Sequence, residues 1–260
     1  MRLLTKTILG AASLLGLCAT SAYADDATPP APAWGSFSAY VAVQSDYRFR
    51  GISQNNQDPS PEASINWSGP DGFYAGTWLA KVNFLDATPT TSGTTLETDL
   101  YGGKHFDLDG TDLNVEAYYY SYPDHNNKLS GVTYSYYETI VQLAHTWGNF
   151  TATVSGAQSP DFFANTGSAW WVGGTAAYTI NDWLSVSGNL GHQWVNHTLP
   201  DYTHYDIGLT ATYKSLSLDA RYLGTDLGAA KCVAYTAGKK EWCSGGFAAT
   251  ITYNIAAFPW

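Results

Sequence analysis

Long apolar runs are missing from this sequence beyond its N-terminal segment. No later stretch approaches the 18 consecutive apolar residues that a membrane-spanning helix requires. Charged residues are also scarce at 13%, whereas aromatic residues reach 15% and the only methionine is Met1. A sequence that is poor in charge, rich in aromatic residues and free of apolar runs is typical of a membrane β-barrel, in which lipid-facing and lumen-facing residues alternate.

Basic residues are few, and this limits the partners of the protein. The chain has 12 Lys and Arg against 22 Asp and Glu, so its formal net charge is −10. So acidic a surface excludes nucleic acid as a partner. The field of the protein instead attracts cations.

The N-terminal segment has the features of an export signal. Arg2 and Lys6 precede a short apolar run over 7–17, and Ala22-Tyr23-Ala24 offers small residues where a signal peptidase cleaves. Cys18 leaves a lipoprotein as an alternative, although the residue before it is a bulky leucine. We expect a signal peptide over 1–24, a flexible periplasmic lead-in over 25–36 and an outer-membrane β-barrel over 37–260.

Cysteine is rare after the signal segment. Cys232 and Cys243 form an even pair close in sequence, which in an exported chain indicates a disulfide that staples a loop. Two free thiols are the alternative. The sequence has no metal-binding motif such as HExxH and no nucleophile elbow, so we expect no metal, no cofactor and no enzymatic activity.

From Phe37 onward, apolar and polar residues alternate with a period of two. In 205–213, for example, Tyr205, Ile207 and Leu209 alternate with Asp206, Gly208 and Thr210. The alternation predicts an all-β fold, a transmembrane antiparallel up-and-down β-barrel of about 12 strands. The predicted strands lie near 37–51, 61–68, 72–84, 95–106, 111–120, 135–147, 149–157, 169–180, 183–194, 202–213, 215–225 and 245–255.

Short and long connections alternate between these strands. Short periplasmic turns and long extracellular loops are the expected asymmetry of an outer-membrane barrel, so both termini are predicted in the periplasm. Aromatic residues also cluster near the predicted strand ends, as in interfacial girdles. They are Trp67, Phe84, Phe106, Trp147, Phe150, Tyr178, Trp183 and Tyr213.

Residues 45–54, SDYRFRGISQ, resemble the opening signature of the TorF family of proteobacterial outer-membrane porins. The likeness continues through Pro59, the segment 72–78 (GFYAGTW) and the segment 97–102 (ETDLYG). It extends over nearly all of 37–255, but only the first third has specific motifs. The resemblance implies an outer-membrane barrel and a pore more firmly than it implies a substrate.

Most charged residues within the predicted strands fall on the side opposite the apolar residues. Charge is costly on a lipid-facing surface, so these side chains are expected to line the lumen. They could favour cations and set a transverse field at a constriction, or they could pair with one another and fill a narrow barrel. The predicted lining is Asp46, Arg48, Arg50, Glu62, Lys81, Glu97, Asp99, Glu116, Glu138, Asp206, Asp219 and Arg221.

Within this set, Arg48 and Arg50 are the best candidates for a constriction. Together with Asp46 they share one face of the first predicted strand, where they could pair with Glu97 or Asp99.

Passive diffusion of small hydrophilic solutes, with a preference for cations, is therefore the predicted function, and membrane lipid and lipopolysaccharide are the predicted neighbours of the barrel. Twelve strands lie between barrels filled by side chains and open aqueous channels, so a plugged structural or ligand-binding barrel is an alternative. An outer-membrane hydrolase would instead need an outward His145 or His192 beside an outward serine. The oligomeric state stays open.

Overall fold

Twelve strands close into a barrel in the computed structural model. The structure describes residues 34–84, 93–125, 131–196 and 199–258, and for residues 256–258 it describes the backbone alone. Every neighbouring pair is antiparallel, and the first and last strands of the chain pair with each other. A separate two-stranded hairpin, β2 and β3, interrupts the sequence of barrel strands. The strands are β1 (Ser36–Gln44), β2 (Arg48–Phe49), β3 (Ile52–Ser53), β4 (Ser60–Ser68), β5 (Phe73–Phe84), β6 (Thr94–Leu108), β7 (Thr111–Ser121), β8 (Tyr136–Trp147), β9 (Phe150–Ser159), β10 (Ala169–Asn181), β11 (Leu184–Val195), β12 (Tyr202–Tyr213), β13 (Leu216–Thr225) and β14 (Gly246–Phe258).

The two ends of the barrel differ in the length of their connections, as predicted. The turn end has the connections 69–72, 109–110, 148–149, 182–183 and 214–215, and the loop end has 45–59, 85–93, 122–135, 160–168, 196–201 and 226–245. Ser36 pairs with Ser68 and Phe37 with Phe258, so the first and last strands both have their outer ends at the turn end. The predicted signal peptide, most of the lead-in and Trp260 lie outside the described residues.

Local backbone chemistry explains why the turns are so short. Asp109 and Gly110 both have positive φ, 56° and 83°, which is the requirement of a two-residue turn that matches the right-handed twist of its strands. Glycine has no Cβ and adopts this region readily, and aspartate tolerates it. The side chain of Asp107 accepts a hydrogen bond from Gly110 N at 2.7 Å and closes the turn.

The period of two separates the inside of the barrel from the outside. In β12, Ile207 and Leu209 are 61% and 50% exposed on the outer face, whereas Gly208 and Thr210 between them are buried. Closure of the barrel pairs the backbone groups of every strand, which an apolar bilayer demands. Among the described residues, no helix is long and apolar enough to span a membrane.

The first strand is shorter than predicted. It ends at Gln44, not at residue 51, and the chain then turns away from the barrel wall into the β2–β3 hairpin. Asp46, Arg48 and Arg50 therefore do not share one face of a barrel strand, and that prediction is wrong. The final strand, by contrast, runs past its predicted end to Phe258.

Most of the predicted girdle residues lie at the turn end of the barrel, and the loop end also exposes aromatic residues such as Trp170 and Phe247. At the turn end, large aromatic side chains are exposed on the outer face, and they are Phe106, Trp147, Phe150, Tyr178, Trp183 and Tyr213. Phe84 is different, because it closes β5 at the loop end and packs against Tyr122, with ring centroids 5.4 Å apart. The buried aromatic core of the molecule lies inside the barrel.

The predicted disulfide between Cys232 and Cys243 is present in the last loop, which contains a short helix, α1 (Ala229–Cys232). Both cysteines are buried, and they pack with Ile52, Tyr202 and Trp242 in a small apolar cluster. Since Ile52 belongs to β3, this cluster joins the disulfide-closed loop to the hairpin.

The outer face can be tested by placing a charge on it. We expect Ile207→Arg, in the middle of β12, to lower the free energy of unfolding in lipid vesicles by about 2–4 kcal/mol, because the charge would lie at the bilayer midplane. Leu216→Arg, at the turn end of β13, should cost only about 0–1 kcal/mol. Equilibrium urea titrations of the vesicle-embedded protein measure both, and equal costs would contradict the proposed orientation in the bilayer.

Candidate functional site: an inward hairpin in a charged lumen

The β2–β3 hairpin has its tip at Arg50 and Gly51. Both residues have positive φ, 46° and 84°, so Phe49 and Ile52 are joined by a two-residue turn. The space around Gly51 also demands glycine, because an added Cβ would lie 2.7 Å from the backbone oxygen of Gly224. The glycine within the predicted first strand was thus the available signal that the strand ends early.

The base of the hairpin is closed by its own polar side chains. Asp46 accepts hydrogen bonds from Arg48 Nε and from Ser53 Oγ, both at 2.6 Å. Gln54 N donates to Tyr47 O at 2.8 Å, which continues the pairing of the hairpin toward its base. Arg48 therefore pairs with Asp46 and not with Glu97 or Asp99, contrary to the prediction.

The tip reaches the opposite wall through Arg50. Its two Nη atoms donate to the two carboxylate oxygens of Glu138 on β8 at 2.9 and 2.8 Å, and Nη1 also donates to Gln193 on β11. The guanidinium carbon lies 4.9 Å from the ring centroid of Trp171 and 4.7 Å from that of Phe49. Arg50 is only 3% exposed, so this bidentate ion pair replaces the water that a buried charge loses.

The flank of the hairpin packs against strands β5 to β7. The ring of Tyr47 meets that of Trp78 at 5.2 Å, and its hydroxyl donates to Glu97 at 3.3 Å. Phe49 packs edge to face on Tyr120 at 5.6 Å. Contacts on β5 to β7 together with the Arg50 contacts on β8, β10 and β11 show that the hairpin crosses the lumen.

Five of the predicted carboxylates lie together on the wall formed by β4 to β8. Glu62, Glu97, Asp99, Glu116 and Glu138 are each at most 8% exposed and alternate with outward-facing residues. Only Glu138 has a guanidinium partner among the described residues. Glu62, Glu97 and Asp99 instead accept hydrogen bonds from the neutral side chains of Gln44, Tyr47 and Tyr118, the last at 2.9 Å.

A second charged group occupies β12 and β13. Arg221 donates to Asp206 at 2.6 Å and to both oxygens of Asp219 at 2.6 and 2.8 Å. All three side chains alternate with exposed apolar residues and face inward. The guanidinium of Arg221 thus contacts both carboxylates of this group, whereas most carboxylates on the wall of β4 to β8 have no cationic partner among the described residues.

Lys81 is the exception among the predicted lining residues. It is exposed between Ala80 and Val82, which are both buried, so it points outward and its assignment to the lumen is wrong. Lys81 lies near the loop end of β5, where a long aliphatic stem lets the ammonium group reach the polar interface.

A row of tyrosines inside the barrel was not singled out from the sequence. The rings of Tyr101, Tyr118, Tyr120 and Tyr136 follow one another at centroid distances of 5.1, 4.5 and 4.4 Å across β6, β7 and β8. Side chains alternate between the two faces of β7, so the parity of a residue, odd or even, decides the face on which it lies. Tyr118 and Tyr120 share the parity of the inward residue Glu116, so the sequence did indicate that these tyrosines face inward. The sequence-based prediction for aromatic residues concerned the girdles near strand ends and did not include these inward tyrosines.

The histidines give no support to a hydrolase. His145 Nδ1 lies 2.8 Å from the hydroxyl of Thr111, and His192 Nδ1 lies 2.9 Å from that of Thr203, so each outward imidazole meets a threonine. His204 faces inward and accepts a hydrogen bond from Trp171 Nε1 at 2.7 Å. No group of three or more His, Cys, Asp and Glu in the described part of the chain is arranged to hold a metal ion.

Solved structures with a similar fold include two porins and an outer-membrane channel. The KdgM porin superposes with a TM-score of 0.54 at 8% identity, covering 85% of this chain and 99% of that chain. The NanC porin gives 0.53 at 9% identity, covering 84% and 99%, and an outer-membrane channel from Pseudomonas putida F1 gives 0.50 at 12%, covering 91% and 100%. At such identities the likeness shows the fold alone.

Sequence comparison adds a family. No curated protein matches the chain. The family model Gcw_chp, described as a bacterial protein of unknown function, matches residues 26–256. Because that match spans most of the sequence, the protein belongs to the bacterial family Gcw_chp.

Proposed function

We propose that the protein is an outer-membrane channel for passive diffusion of small hydrophilic solutes, and that it prefers cations. The observation that carries the proposal is the charge of the inner face. The eight predicted lining carboxylates, of which Asp46 lies at the base of the hairpin, outnumber the three guanidinium groups of Arg48, Arg50 and Arg221. A surplus of carboxylates in a narrow lumen raises the local concentration of cations and repels anions.

The proposed setting is the outer membrane, with lipid and lipopolysaccharide against the apolar outer face. Removal of the signal peptide after Ala24 would leave both barrel termini in the periplasm and the long loops outside. The resemblance of residues 45–54 to TorF-type porins supports this setting, and these residues form the hairpin. The KdgM porin is also known in complex with oligogalacturonate, but an anionic solute of that kind would meet a repulsive lumen here.

The proposed path differs between the two halves of the barrel. Toward the turn end, small polar side chains such as Ser155, Thr175, Ser187 and Thr210 face inward. Toward the loop end, the hairpin and the aromatic core narrow the lumen. Flow through the channel would then depend on how firmly Arg50 holds the hairpin across the barrel.

A plugged structural or ligand-binding barrel is the second candidate. The hairpin favours it, because a buried bidentate ion pair at the tip and hydrogen bonds at the base fix the hairpin in place. A channel requires this hairpin to leave room or to move, whereas a plugged barrel does not.

The charge preference is tested by single-channel recording in a planar bilayer under a KCl gradient. We expect the sign of the reversal potential to show that K⁺ is several-fold more permeant than Cl⁻. The double variant Glu62→Gln with Glu116→Gln should bring the permeability ratio of K⁺ to Cl⁻ toward one, because both carboxylates are buried in the wall of β4 to β8. Asp71→Asn, an exposed turn residue, is the matched control. Anion preference in the unchanged protein would overturn the proposal.

The role of the hairpin anchor is tested by Arg50→Gln. Losing one partner of a buried pair costs on the order of 3–5 kcal/mol, so the hairpin should loosen and the conductance or open probability should rise. Arg50→Gln combined with Glu138→Gln also removes the anchor but leaves no unpaired charge, and it should conduct similarly. Lys104→Gln is the control, because Lys104 stacks on Phe73 and Phe106 away from the hairpin. Unchanged conductance in both anchor variants would favour the plugged barrel.

The last loop should act as a second anchor of the hairpin. Ser53 N donates to Trp242 O at 3.0 Å and Arg48 Nη1 donates to Ser244 O at 2.6 Å, on either side of Cys243. A disulfide closing a short loop contributes about 2–4 kcal/mol, so its loss should loosen this contact.

Dithiothreitol added to the loop side of a bilayer should therefore raise the open probability. Cys232→Ser with Cys243→Ser should show the raised level without reductant, and the reagent should then have no effect. No response from the unchanged protein would contradict this anchor.

A further inference from the structure

A cavity of about 110 Å³ opens at the loop end, on the outer side of the hairpin. Ten of its fifteen lining residues are aromatic, and no charged side chain is among these fifteen. Phe49 and Ile52 of the hairpin line one side of the cavity and Trp242 of the disulfide-closed loop lines another. A cavity of about 150 Å³ is enough to bind benzene, so this one can enclose one compact group of a larger molecule.

The rings of the lining are oriented in several directions. Phe84 and Phe163 meet at 73°, Tyr122 and Phe163 at 83°, and Tyr202 and Tyr235 at 75°. An aromatic face is the negative end of the ring quadrupole, and an organic cation surrounded by such faces is held by cation–π attraction. Burial raises the pKa of Tyr235 above its ordinary value, so its hydroxyl stays protonated and donates to Pro200 O at 2.7 Å.

One ring of the lining already contacts a cation. Phe49 lines the cavity and has the Arg50 guanidinium 4.7 Å from its centroid. Arg50 is itself bonded to Glu138 and is not part of the lining. Among the described residues that line the cavity, none is cationic.

Two carboxylates on β6 lie in register with residues of this cavity. Thr98 on β6 pairs with Ser121 on β7, so Glu97, one residue nearer the loop end, lies opposite the cavity residue Tyr122. Asp99 pairs with Tyr120, which in turn pairs with Tyr136, another cavity residue.

Both carboxylates lack a compensating charge. Glu97 and Asp99 are each 1% exposed, and Glu97 Oε2 and Asp99 Oδ1 have no hydrogen-bond partner among the described residues. The inward guanidinium groups are bonded elsewhere: Arg48 to Asp46, Arg50 to Glu138 and Arg221 to the pair on β12 and β13. A cation above this pair would supply the missing charge.

The chemistry of the lining decides which kind of cation fits. Carbon-rich ring faces cannot replace the oxygen ligands of a metal ion. They suit a large, weakly hydrated cation whose charge is spread over methyl groups. We propose that the cavity binds the quaternary ammonium group of a small organic cation, held by the aromatic faces and attracted by Glu97 and Asp99.

Choline is the probe that tests the site, and 3,3-dimethyl-1-butanol is its matched control, since it has the same shape with carbon in place of the charged nitrogen. Isothermal titration calorimetry is performed on the refolded full chain in an uncharged maltoside detergent, because phosphocholine detergents would compete. We expect choline to bind about tenfold more tightly than the alcohol. Equal affinities, or binding of a neutral pyranose without binding of choline, would overturn the inference.

Variants locate the site. Glu97→Gln with Asp99→Asn should weaken choline binding about tenfold and leave the alcohol unaffected, since only the charge attraction is lost. Asp112→Asn removes a carboxylate near the turn end and should change neither the affinity for choline nor that for the alcohol. Phe163→Ala removes one cavity ring and should weaken choline by several-fold, which provides the test if the carboxylate variant does not fold. Choline binding unaffected by both cavity variants would refute the assignment.

Binding in this experiment does not depend on conduction. Choline binding by a protein that conducts no current would reject the proposed channel and leave this site standing. A cation-selective channel that binds choline no better than the alcohol would reject this site and leave the proposed channel standing.

Discussion

Everything in this protein depends on the rule that backbone polar groups facing a bilayer must be paired within the protein. A closed antiparallel barrel meets that rule because β1 pairs with both β14 and β4, leaving no edge. Closure fixes the alternation of side chains, so a residue's parity decides whether it meets lipid or lumen. Most charge within the strands then lies on the inside, where Glu97 and Asp99 lie two residues apart on one strand.

Confining charge to the lumen creates a second problem, which the hairpin partly solves. Carboxylates buried on β4 to β8 have few cationic neighbours within the barrel wall itself. Arg50 comes from outside the strand pattern, and only a segment that leaves the wall could bring it to Glu138. The hairpin thus crosses the lumen and brings a guanidinium group to Glu138, and this buried pair fixes its tip. Glu97 and Asp99 have no guanidinium partner among the described residues.

Parity accounts for most of what the sequence could predict. The twelve strands, the order of short and long connections and the inward position of residues such as Glu116 and Asp219 all follow from a period of two. The rule that charged residues face the lumen fails near a strand end, as for Lys81, because the interface tolerates charge on the outer face. It also fails at the first strand, because the alternation of Asp46, Arg48 and Arg50 continues through a hairpin that has the same period as the barrel strands.

What parity cannot supply is which long-range partner each inward side chain meets. Arg50 and Glu138 are 88 residues apart, and Arg48 and Ser244 are 196 apart, so these pairings depend on barrel closure and not on local pattern. The aromatic cavity has the same origin, because its rings come from the hairpin, from three barrel strands and from three loops that closure brings together.

The position of the hairpin in the chain explains why the contacts that hold its base lie at the loop end. It follows β1, the strand on which the barrel closes, and it is held by the loop that precedes β14, the strand that completes closure. Ser45 and Ala249 exchange hydrogen bonds at 2.8 and 2.9 Å, which ties the start of the hairpin segment to that seam. The hairpin can therefore reach its full set of contacts only after the last strand has paired. The disulfide-closed loop thus links the hairpin to the last strand of the barrel.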